Sequence, residues 1–388
     1  MQRRKFIITS GTMFTASVLM GSEGGANQLF ANTQKNQNAN KRPNPGNFSQ
    51  PILKAIAIGV NAPSPHNTQS WKFKILDDVS MLLYVDENRF LPATDPTQRQ
   101  IHMGVGSFIE TLSIGVTPLG YLAEVSYFPQ GYNSREDFGK KPVAKITIIK
   151  TTEIREELEK YIISRQTNRK EYEGENITIS EFEALMEATG KTHSKINFIA
   201  SKEKIETYQK LMIKAMEVES YKYETHDESR KMMRFSEKER AEKRDGLSIP
   251  QVGFTGIMVP LAEMSLKGGP KAWHSKKSVQ RHMDTFEKAV NSAKGIVTFT
   301  TDSNEIIDWV KAGRDFVRFS LALTKFNLSN NPHTQITQEY NEMLPLMTEL
   351  NSLENIKEPG KVQLILRIGR ADYSYYSFRR NLEDFIER

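Results

Sequence analysis

Two stretches of this 388-residue sequence repeat one pattern of apolar strands and a helix, and this duplication constrains the fold more than any other feature. Gly106 begins a helical pattern that ends at Gly120-Tyr121, and Gly313 begins a similar pattern that ends at Asn327-Leu328, with the same spacing. Each helix follows an apolar run that predicts a strand, and each half ends in another. The runs are Met81 to Val85, Val143 to Ile149, Gly295 to Thr300 and Val362 to Ile368. The sequence therefore predicts an α+β fold of two tandem repeats.

The N-terminus predicts an export signal rather than part of the fold. The segment Gln2-Arg3-Arg4-Lys5-Phe6-Ile7 resembles a twin-arginine motif and precedes an apolar stretch, diluted with Thr and Ser, that ends near Met20. Small residues at 24–26 offer a cleavage site, so residues 1–26 are predicted to be a signal peptide read by the twin-arginine translocase. An uncleaved membrane anchor is the alternative. The protein is expected to be periplasmic or otherwise exported by the twin-arginine route.

Residues 27–47 are rich in Asn, Gln, Lys, Pro and Gly and are predicted to be a flexible linker, because this composition cannot bury a core. The remaining length suits two fused units, a first half at 48–152 and a second at 153–388. The chain has no cysteine, which excludes disulfides and lipid attachment at a lipobox. Its net charge of +6, which falls by two without residues 1–26, is too mild to indicate nucleic-acid binding.

The loop at residues 61–71 carries most of the functional information. It has the sequence Asn-Ala-Pro-Ser-Pro-His-Asn-Thr-Gln-Ser-Trp, in which two prolines restrict φ and remove backbone donors. The hydroxyl and amide side chains then suit a ligand edge that alternates carbonyl oxygens with ring nitrogens. A rigid turn is the alternative. The loop resembles the Ala-Pro-Ser-x-x-Asn-x-Gln-x-Trp segment of the nitroreductase-like flavoproteins. That resemblance implies FMN contacts for Pro63, Ser64, Pro65, His66, Asn67 and Gln69.

Two basic segments strengthen the resemblance. Ser164 to Arg169 looks like the Arg-x-Ser-x-Arg segment that usually opens a nitroreductase domain and grips the flavin phosphate, with threonine in place of serine. In the same family a C-terminal strand ends in basic residues that reach this phosphate, and here the run Val362 to Ile368 leads into two such groups. A solvated surface is the alternative for either segment alone. The resemblance implies FMN contacts for Arg165, Thr167, Asn168, Arg169, Arg370, Ser377, Arg379 and Arg380.

The order of these motifs implies how the halves cooperate. The first half has the proline loop but no Arg-x-Ser-x-Arg opening, whereas the second has the basic segments but Ala188 to Ile196 in place of the loop. This matches the tandem-fused, Acg-type branch of the family, in which one chain mimics the family homodimer. The resemblance implies one FMN between the halves and a monomer. Arg244 to Leu247 resembles an Arg-Asp-Gly-Leu element of that branch, so a lid over the flavin is predicted around residues 225–280.

The resemblance implies an FMN-dependent oxidoreductase. NAD(P)H or an unknown donor would reduce the flavin, which would then reduce a nitroaromatic, quinone or similar small acceptor. No catalytic side chain is predicted, because the flavin carries the chemistry. Twin-arginine export of folded proteins suits one that acquires FMN in the cytoplasm, but NAD(P)H is scarce outside it. A non-catalytic FMN storage or sequestration protein with a lidded site is therefore the alternative, and a relative that binds no flavin is a third.

Other patterns add no cofactor. The seven histidines are scattered and no carboxylate lies at a metal-ligand spacing, so no metal site is predicted. Gly104-Val-Gly106 is an incomplete dinucleotide fingerprint that helix packing explains better. Arg230 to Arg244 mixes both charges at helical spacing and predicts a solvated helix. The aromatic residues Tyr373, Tyr375, Tyr376 and Phe378 predict either core packing or stacking near the flavin.

Overall fold

Two four-stranded antiparallel sheets with the same strand order form the framework of this protein. The computed structural model describes residues 41–152, 156–372 and 375–387. The predicted signal peptide, residues 1–26, and most of the predicted linker, residues 27–40, lie outside the described residues. Within the described residues, no helix has the length and apolar character needed to cross a membrane.

The first sheet is built from the predicted first half. Its elements are α1 (Pro51–Gly59), β1 (Trp71–Asp77), β2 (Ser80–Val85), α2 (Arg99–Gly115), β3 (Tyr121–Tyr127) and β4 (Ala144–Lys150). The strand order is β1-β2-β4-β3 and every pairing is antiparallel. Strand β1 alternates buried and less buried residues near its start, as expected for a sheet with one face in the core.

The second sheet repeats this topology around a long insertion. In chain order the elements are α3 (Ile179–Thr189), β5 (Lys195–Ile199), α4 (Lys202–Tyr221), α5 (Tyr223–Lys231), β6 (Met233–Arg234), α6 (Glu237–Lys243), β7 (Leu247–Ser248), α7 (Met258–Leu266), α8 (Gly269–Trp273), α9 (Lys276–Asn291), β8 (Gly295–Thr301), α10 (Ile306–Lys325), β9 (Ser329–Pro332), α11 (Leu344–Leu353) and β10 (Lys361–Gly369). The sheet order is β5-β8-β10-β9, again wholly antiparallel. Apart from the insertion and α11, both halves therefore follow one plan of helix, two strands, helix and two strands.

The two central helices, α2 and α10, cross at a pair of glycines. A Cβ atom on Gly106 would lie 1.7 Å from the carbonyl oxygen of Val310, and one on Gly313 would lie 1.9 Å from that of Met103. The contacts are reciprocal, because each glycine meets the carbonyl three residues before the other. The prediction that these glycines begin their helices was wrong, since α2 begins at Arg99 and α10 at Ile306. Both lie mid-helix, where only glycine permits such close backbone approach.

The chain end returns to the first sheet. Phe73 N donates to Phe385 O at 2.8 Å, and Glu387 N donates to Phe73 O at 2.8 Å. The Phe385 ring also packs against Trp71 and Phe73, with ring centroids 6.1 and 5.8 Å apart. The C-terminal residues therefore complete the core beside the first sheet.

One prediction for the insertion between β5 and β8, a helix over Arg230 to Arg244, was wrong. The helix predicted over Arg230 to Arg244 is broken into the end of α5, the strand β6 and the helix α6. Strand β6 is buried and pairs in parallel with β7, and Ser236 Oγ accepts from Glu239 N at 3.1 Å to begin α6. Burial of Met233 and Arg234 thus overrides the helical charge spacing.

Candidate functional site

The loop at residues 61–71 has an unusual backbone. His66, Asn67 and Gln69 have φ angles of 48, 53 and 52°, in the left-handed region that side chains other than glycine rarely adopt. Ser64 Oγ accepts from Gln69 N at 3.0 Å, and residues 65–67 form one 3₁₀ turn. Such conformations cost about 1–3 kcal/mol each, persist only where the surroundings impose them, and cluster at functional sites.

Two amide side chains tie this loop to two distant segments. Asn67 Nδ2 donates to the carbonyl oxygens of Gly246, at 3.0 Å, and Phe378, at 3.4 Å. Gln69 Nε2 donates to Arg244 O at 2.9 Å, and Gln69 Oε1 accepts from Arg380 N at the same distance. The amides therefore hold the insertion and the C-terminal segment against the loop, with Pro63 and Pro65 half-buried beside them.

Arg379 and Arg42 converge at the base of the loop. Arg379 donates through Nε to Val60 O at 2.8 Å and through Nη2 to the carbonyl oxygens of Asn61 and Ala62, at 3.2 and 3.1 Å. Arg42 donates to Asn61 Oδ1 at 3.1 Å and Ser377 O at 3.2 Å. Arg379 also reaches Ser377 Oγ at 2.5 Å. Arg42 belongs to the predicted linker, whose described end, residues 41–47, thus contacts this site.

Arg165 completes an arginine cluster, defined here as Arg42, Arg165 and Arg379. Arg165 is only 5% exposed, and its buried Nη1 has no hydrogen-bond partner among the described residues. Burial, aided by the charge of Arg42, lowers the pKa of Arg165 to about 9, and burial with the charges of Arg42 and Arg165 holds the pKa of Arg379 well below its usual range. Within the described residues, no carboxylate pairs with any of the three.

An unpaired buried charge is costly, and arginine keeps its charge at neutral pH. A guanidinium matches phosphate oxygens in geometry as well as charge. The arginine cluster therefore suits a phosphate group.

A second basic group lies around Arg169, in the same segment as Arg165 of the arginine cluster. Arg169 Nη1 donates to Gln251 O at 3.4 Å. Burial and then the charge of Arg169 lower the pKa of His66 to about 4, so that ring is neutral at pH 7. His333 is also held neutral, by burial and the charges of Arg367 and Arg169. The described part of the chain offers no hydrogen-bond partner to four buried atoms in this region: His66 Nδ1, Asn330 Oδ1, His333 Nδ1 and Arg367 Nε.

Backbone contacts hold the segment that carries Arg165 and Arg169. Asn168 N donates to Asn330 O at 2.9 Å, and Thr167 forms an isolated parallel bridge with the same residue. Asn168 O accepts from Tyr172 Oη at 2.9 Å. The segment is therefore fixed to the edge strand β9.

Two predicted site arginines serve other contacts. Arg370 is 40% exposed in its side chain, pairs with Glu181 and donates to Glu175 O at 3.3 Å, so the structure does not bring it to the arginine cluster. It follows the end of β10, and its side chain reaches Glu181 in the first turn of α3. Arg380 donates to Gln69 O at 3.3 Å and Asp384 O at 2.6 Å, and its guanidinium stacks 4.5 Å above the Phe385 ring.

Sequence reasoning missed Arg42, Arg367 and His333. Arg42 lies in a polar segment that resembles a linker, and His333 stands in no recognisable pattern. Arg367 could have been recognised in the sequence, since it is the lone charged residue inside the apolar run Val362 to Ile368. Three of the predicted aromatic residues form cation–π contacts: Arg42 of the cluster lies over Tyr376, Lys41 over Tyr375 and Phe378, and Arg244 over Phe378. Tyr373 lies outside the described residues.

Open grooves lie away from this site. One of about 660 Å³ is lined by Glu156, Glu157, Lys325 and neighbouring apolar residues. Another of about 420 Å³ lies against Met233 and Leu266. Neither includes the arginine cluster. Among the described residues, no group of three or more His, Asp and Glu side chains is arranged to hold a metal ion.

No family model matches this chain. The chain is 33% identical to acg of Mycobacterium tuberculosis, whose full name suggests an NAD(P)H nitroreductase. The match spans 78 residues, which are 20% of this chain and 23% of that relative. A second such M. tuberculosis protein is 28% identical over 81 residues, 21% of this chain and 23% of the relative. A segment of this chain is related to nitroreductase-like proteins. Each match therefore covers less than a quarter of the relative's length.

The solved structures of nitroreductases are less similar to this chain in sequence. One from Bacteroides fragilis with bound FMN is 14% identical, with 58% of this chain and 94% of that chain covered and a TM-score of 0.32. The FMN-dependent NfnB of Mycobacterium smegmatis, in complex with NADPH, is 12% identical, with 55 and 87% covered and a TM-score of 0.34. Scores below 0.5 do not establish a common fold.

Proposed function

We propose that this protein binds FMN and acts as a nitroreductase-like oxidoreductase. The observation that carries the proposal is the buried arginine cluster, three guanidinium groups within one site and no carboxylate paired with them among the described residues. Burying such a cluster costs several kcal/mol per charge unless an anion compensates. A phosphate monoester supplies up to two negative charges and several acceptor oxygens. The FMN phosphate meets that requirement.

The residues of the site fit FMN in chemistry as well as charge. In the part of the chain that the structure describes, Arg165 Nη1 and His66 Nδ1 are buried polar atoms without a hydrogen-bond partner. Arg165, with Arg42 and Arg379, would hold the phosphate, and the loop at residues 63–69 would line the flavin ring. A bound flavin supplies two-electron redox chemistry. The protein's part is to hold it, to exclude water and to admit a small substrate.

A tandem origin accounts for the composition of the site. Two features support it: the identical order of the two sheets and the reciprocal contacts of Gly106 and Gly313. The loop comes from the first half, and Arg165 and Arg379 come from the second. One chain would thus reproduce the nitroreductase-like homodimer, with one FMN between the halves and a monomeric protein.

The electron donor and acceptor are proposed from the relatives. The names of two M. tuberculosis relatives support NAD(P)H as donor. Nitroaromatics, quinones or similar small molecules are the proposed acceptors. The motif at residues 2–7 supports export by the twin-arginine route to the periplasm, where another donor would have to serve.

A second candidate function is FMN storage or sequestration, and one observation favours it. The segment at residues 244–246 lies directly on the loop: Gly246 N donates to Asn67 O at 3.2 Å, and Arg244 Nε donates to Arg379 O at 2.7 Å. Asp245 pins the same segment through Arg234 Nη2 and Arg89 Nη1, at 2.6 and 2.8 Å. A flavin below this segment would be shielded from substrates.

The test is the visible spectrum of the purified protein and of two matched arginine variants. Arg165→Met removes a member of the arginine cluster, whereas Arg370→Met removes an arginine that the structure places apart. We expect the wild type and Arg370→Met to retain FMN and Arg165→Met to bind it at least about 100-fold more weakly, because charge-assisted phosphate bonds are lost. Equal FMN affinity in the two variants would contradict the proposed site, and a wild type that stays colourless after incubation with FMN would contradict the cofactor.

The reduced spectrum separates the two functions. Anaerobic bleaching by NADPH, reversed by a nitroaromatic or quinone, would support the oxidoreductase. Bleaching by dithionite alone would support storage or an unidentified donor.

A further inference from the structure

The helix α7 (Met258–Leu266) presents an apolar face to solvent. None of its side chains is fully buried, and Ile257, Met258, Leu261 and Met264 are 76, 51, 48 and 66% exposed. The spacing of Ile257, Leu261 and Met264 places them on one side of the helix. Of the fourteen large apolar side chains exposed in the described part of the chain, four lie in this eight-residue stretch. Contiguous apolar exposure of this kind marks a surface that another body covers.

The other side of α7 attaches it to the protein. Glu263, the lone charged residue of the helix, forms an ion pair with Arg240 at 2.5 Å, and the two side chains are 13 and 8% exposed. Val259 and Leu266 are half-buried on the same side. A surface helix ordinarily buries its apolar face and exposes its charges. In α7 the charge is anchored inward and the most exposed side chains are apolar.

Cations follow directly after this helix. Lys267, Lys271, Lys276 and Lys277 are exposed, and in the described ranges none of them forms an ion pair with a carboxylate. Lys267 lies beside Leu266 at the rim of the 420 Å³ groove, which has Met233 and Phe235 in its lining. Arg240 is shared between Glu263 and Glu237 of α6, whose side chain is 65% exposed. Within the segment from Ile257 to Lys277 itself, Glu263 is held inward and the exposed charged side chains are the four lysines.

We propose that α7 and these four lysines form a docking surface for an anionic phospholipid membrane. Apolar side chains on one helix face enter the headgroup boundary of a bilayer, while adjacent lysines meet anionic headgroups. A second copy of this chain suits the surface less well, because joining two such faces would bring like charges together. The docking surface goes beyond the proposed flavin chemistry and does not depend on it.

The test is co-sedimentation of the full-length protein with vesicles of phosphatidylcholine alone and with an equimolar mixture of phosphatidylcholine and phosphatidylglycerol. We expect binding to the mixed vesicles that weakens as salt rises. Lys267→Gln and Lys271→Gln should each weaken binding about fivefold. The double variant Leu261→Ser with Met264→Ser should weaken it about tenfold or more. Ile179→Ser is the matched control, since Ile179 is 61% exposed but lies on α3; it should bind as the wild type does.

Three results would overturn the proposal. The first is no binding to the mixed vesicles, or equal binding to both kinds. The second is unchanged binding by the Leu261→Ser, Met264→Ser variant, which would assign any binding to another part of the chain. The third is a lipid-free dimer that this variant converts to a monomer in light scattering, because the face would then be an interface between two copies.

Discussion

At the scale of single residues, the most informative groups are charged side chains that are buried without an ion-pair partner in the described ranges. Arg165 is such a group in the candidate site, and Glu219 is another away from it. Glu219 is 6% exposed and accepts from Gln338 Nε2 at 2.7 Å and Ser229 Oγ at 3.3 Å. Burial raises the pKa of Glu219 to about 7. Replacing either residue should therefore change a measurable property of the whole protein.

Replacing Arg165 should affect stability and ligand binding in opposite directions. In flavin-free protein, Arg165→Met removes an uncompensated buried charge, so we expect the free energy of unfolding to rise by about 1–3 kcal/mol. The same change should abolish FMN retention. Urea denaturation of flavin-free wild type and variant measures the first effect. A variant less stable than the wild type would indicate that Arg165 serves the fold rather than a ligand.

Glu219 should make stability depend on pH. Its folded pKa of about 7 exceeds the ordinary value of 4.5, so between these pH values the folded protein holds the proton more tightly than the unfolded chain. Stability therefore falls as pH rises through that window. Glu219→Gln should remove this fall and gain on the order of 1–3 kcal/mol over the wild type at pH 8. Urea denaturation at pH 5 and pH 8 checks it, with the exposed Glu183→Gln as control; parallel pH profiles of wild type and Glu219→Gln would contradict the assignment.

At the scale of elements, backbone contact between α2 and α10 joins the two sheets. A side chain at Gly313 would meet the Met103 carbonyl at 1.9 Å, and the helix backbone cannot move aside as a flexible side chain can. The segment at residues 244–246, called the covering segment because it contacts the loop at residues 61–71, is a second joint, held by Asp245. We expect the first joint to matter for folding, and we propose that the second limits access to the candidate site.

Gly313→Ala should destabilise the protein by about 3 kcal/mol or more. Inserting an extra methylene group into a packed core usually costs about 1–3 kcal/mol, and here the added methyl group would overlap backbone atoms. Gly104→Ala in α2 is the matched control, since its Cβ would meet the Pro65 side chain at 3.2 Å, and the loss there should be much smaller. Thermal unfolding followed by circular dichroism compares them. A similar small loss in both variants would show that the helices can separate at little cost.

Asp245→Asn should loosen the covering segment. Asp245 links Arg89 and Arg234, and removing its charge weakens both bonds. If FMN lies below the segment, we expect its release to be about tenfold faster, which dilution of the loaded protein with fluorescence detection would measure. An unchanged release rate in a protein that does retain FMN would show that this segment is not a lid.

At the scale of the whole molecule, the two sheets share one hydrophobic core. Helix α2 has 16 of its 17 residues buried, partly against α10 of the second half. The first sheet also receives Phe385 from the end of the chain. A single half would therefore expose apolar surface that the full chain buries.

Residues 48–152 expressed alone should fail to fold, and co-expression with residues 153–388 should restore a soluble complex. The reason is the loss of the covering surface of α2. The dispersion of the amide NMR spectrum of the fragment measures this. A well-dispersed spectrum from the isolated fragment would show that the halves are independent domains.

Local patterns were sufficient for much of the framework. The apolar runs at 81–85, 143–149, 295–300 and 362–368 correspond to β2, β4, β8 and β10, because a buried strand leaves a continuous signal in its own sequence. The equal spacing around Gly106 and Gly313 likewise predicted two related units. The relationship to nitroreductase-like proteins followed from short motifs and is confirmed for part of the chain.

Long-range contacts decided the rest. No local pattern indicates that Arg42 reaches Asn61 and Ser377, that Arg370 turns away to Glu181, or that Gly106 and Gly313 meet each other. The sequence by itself determined the strands at those four runs, the repeated spacing and the basic character of the motifs, since these depend on neighbours along the chain. Only the tertiary structure decided which charges are buried together and unpaired, because burial and pairing depend on segments that lie far apart in sequence.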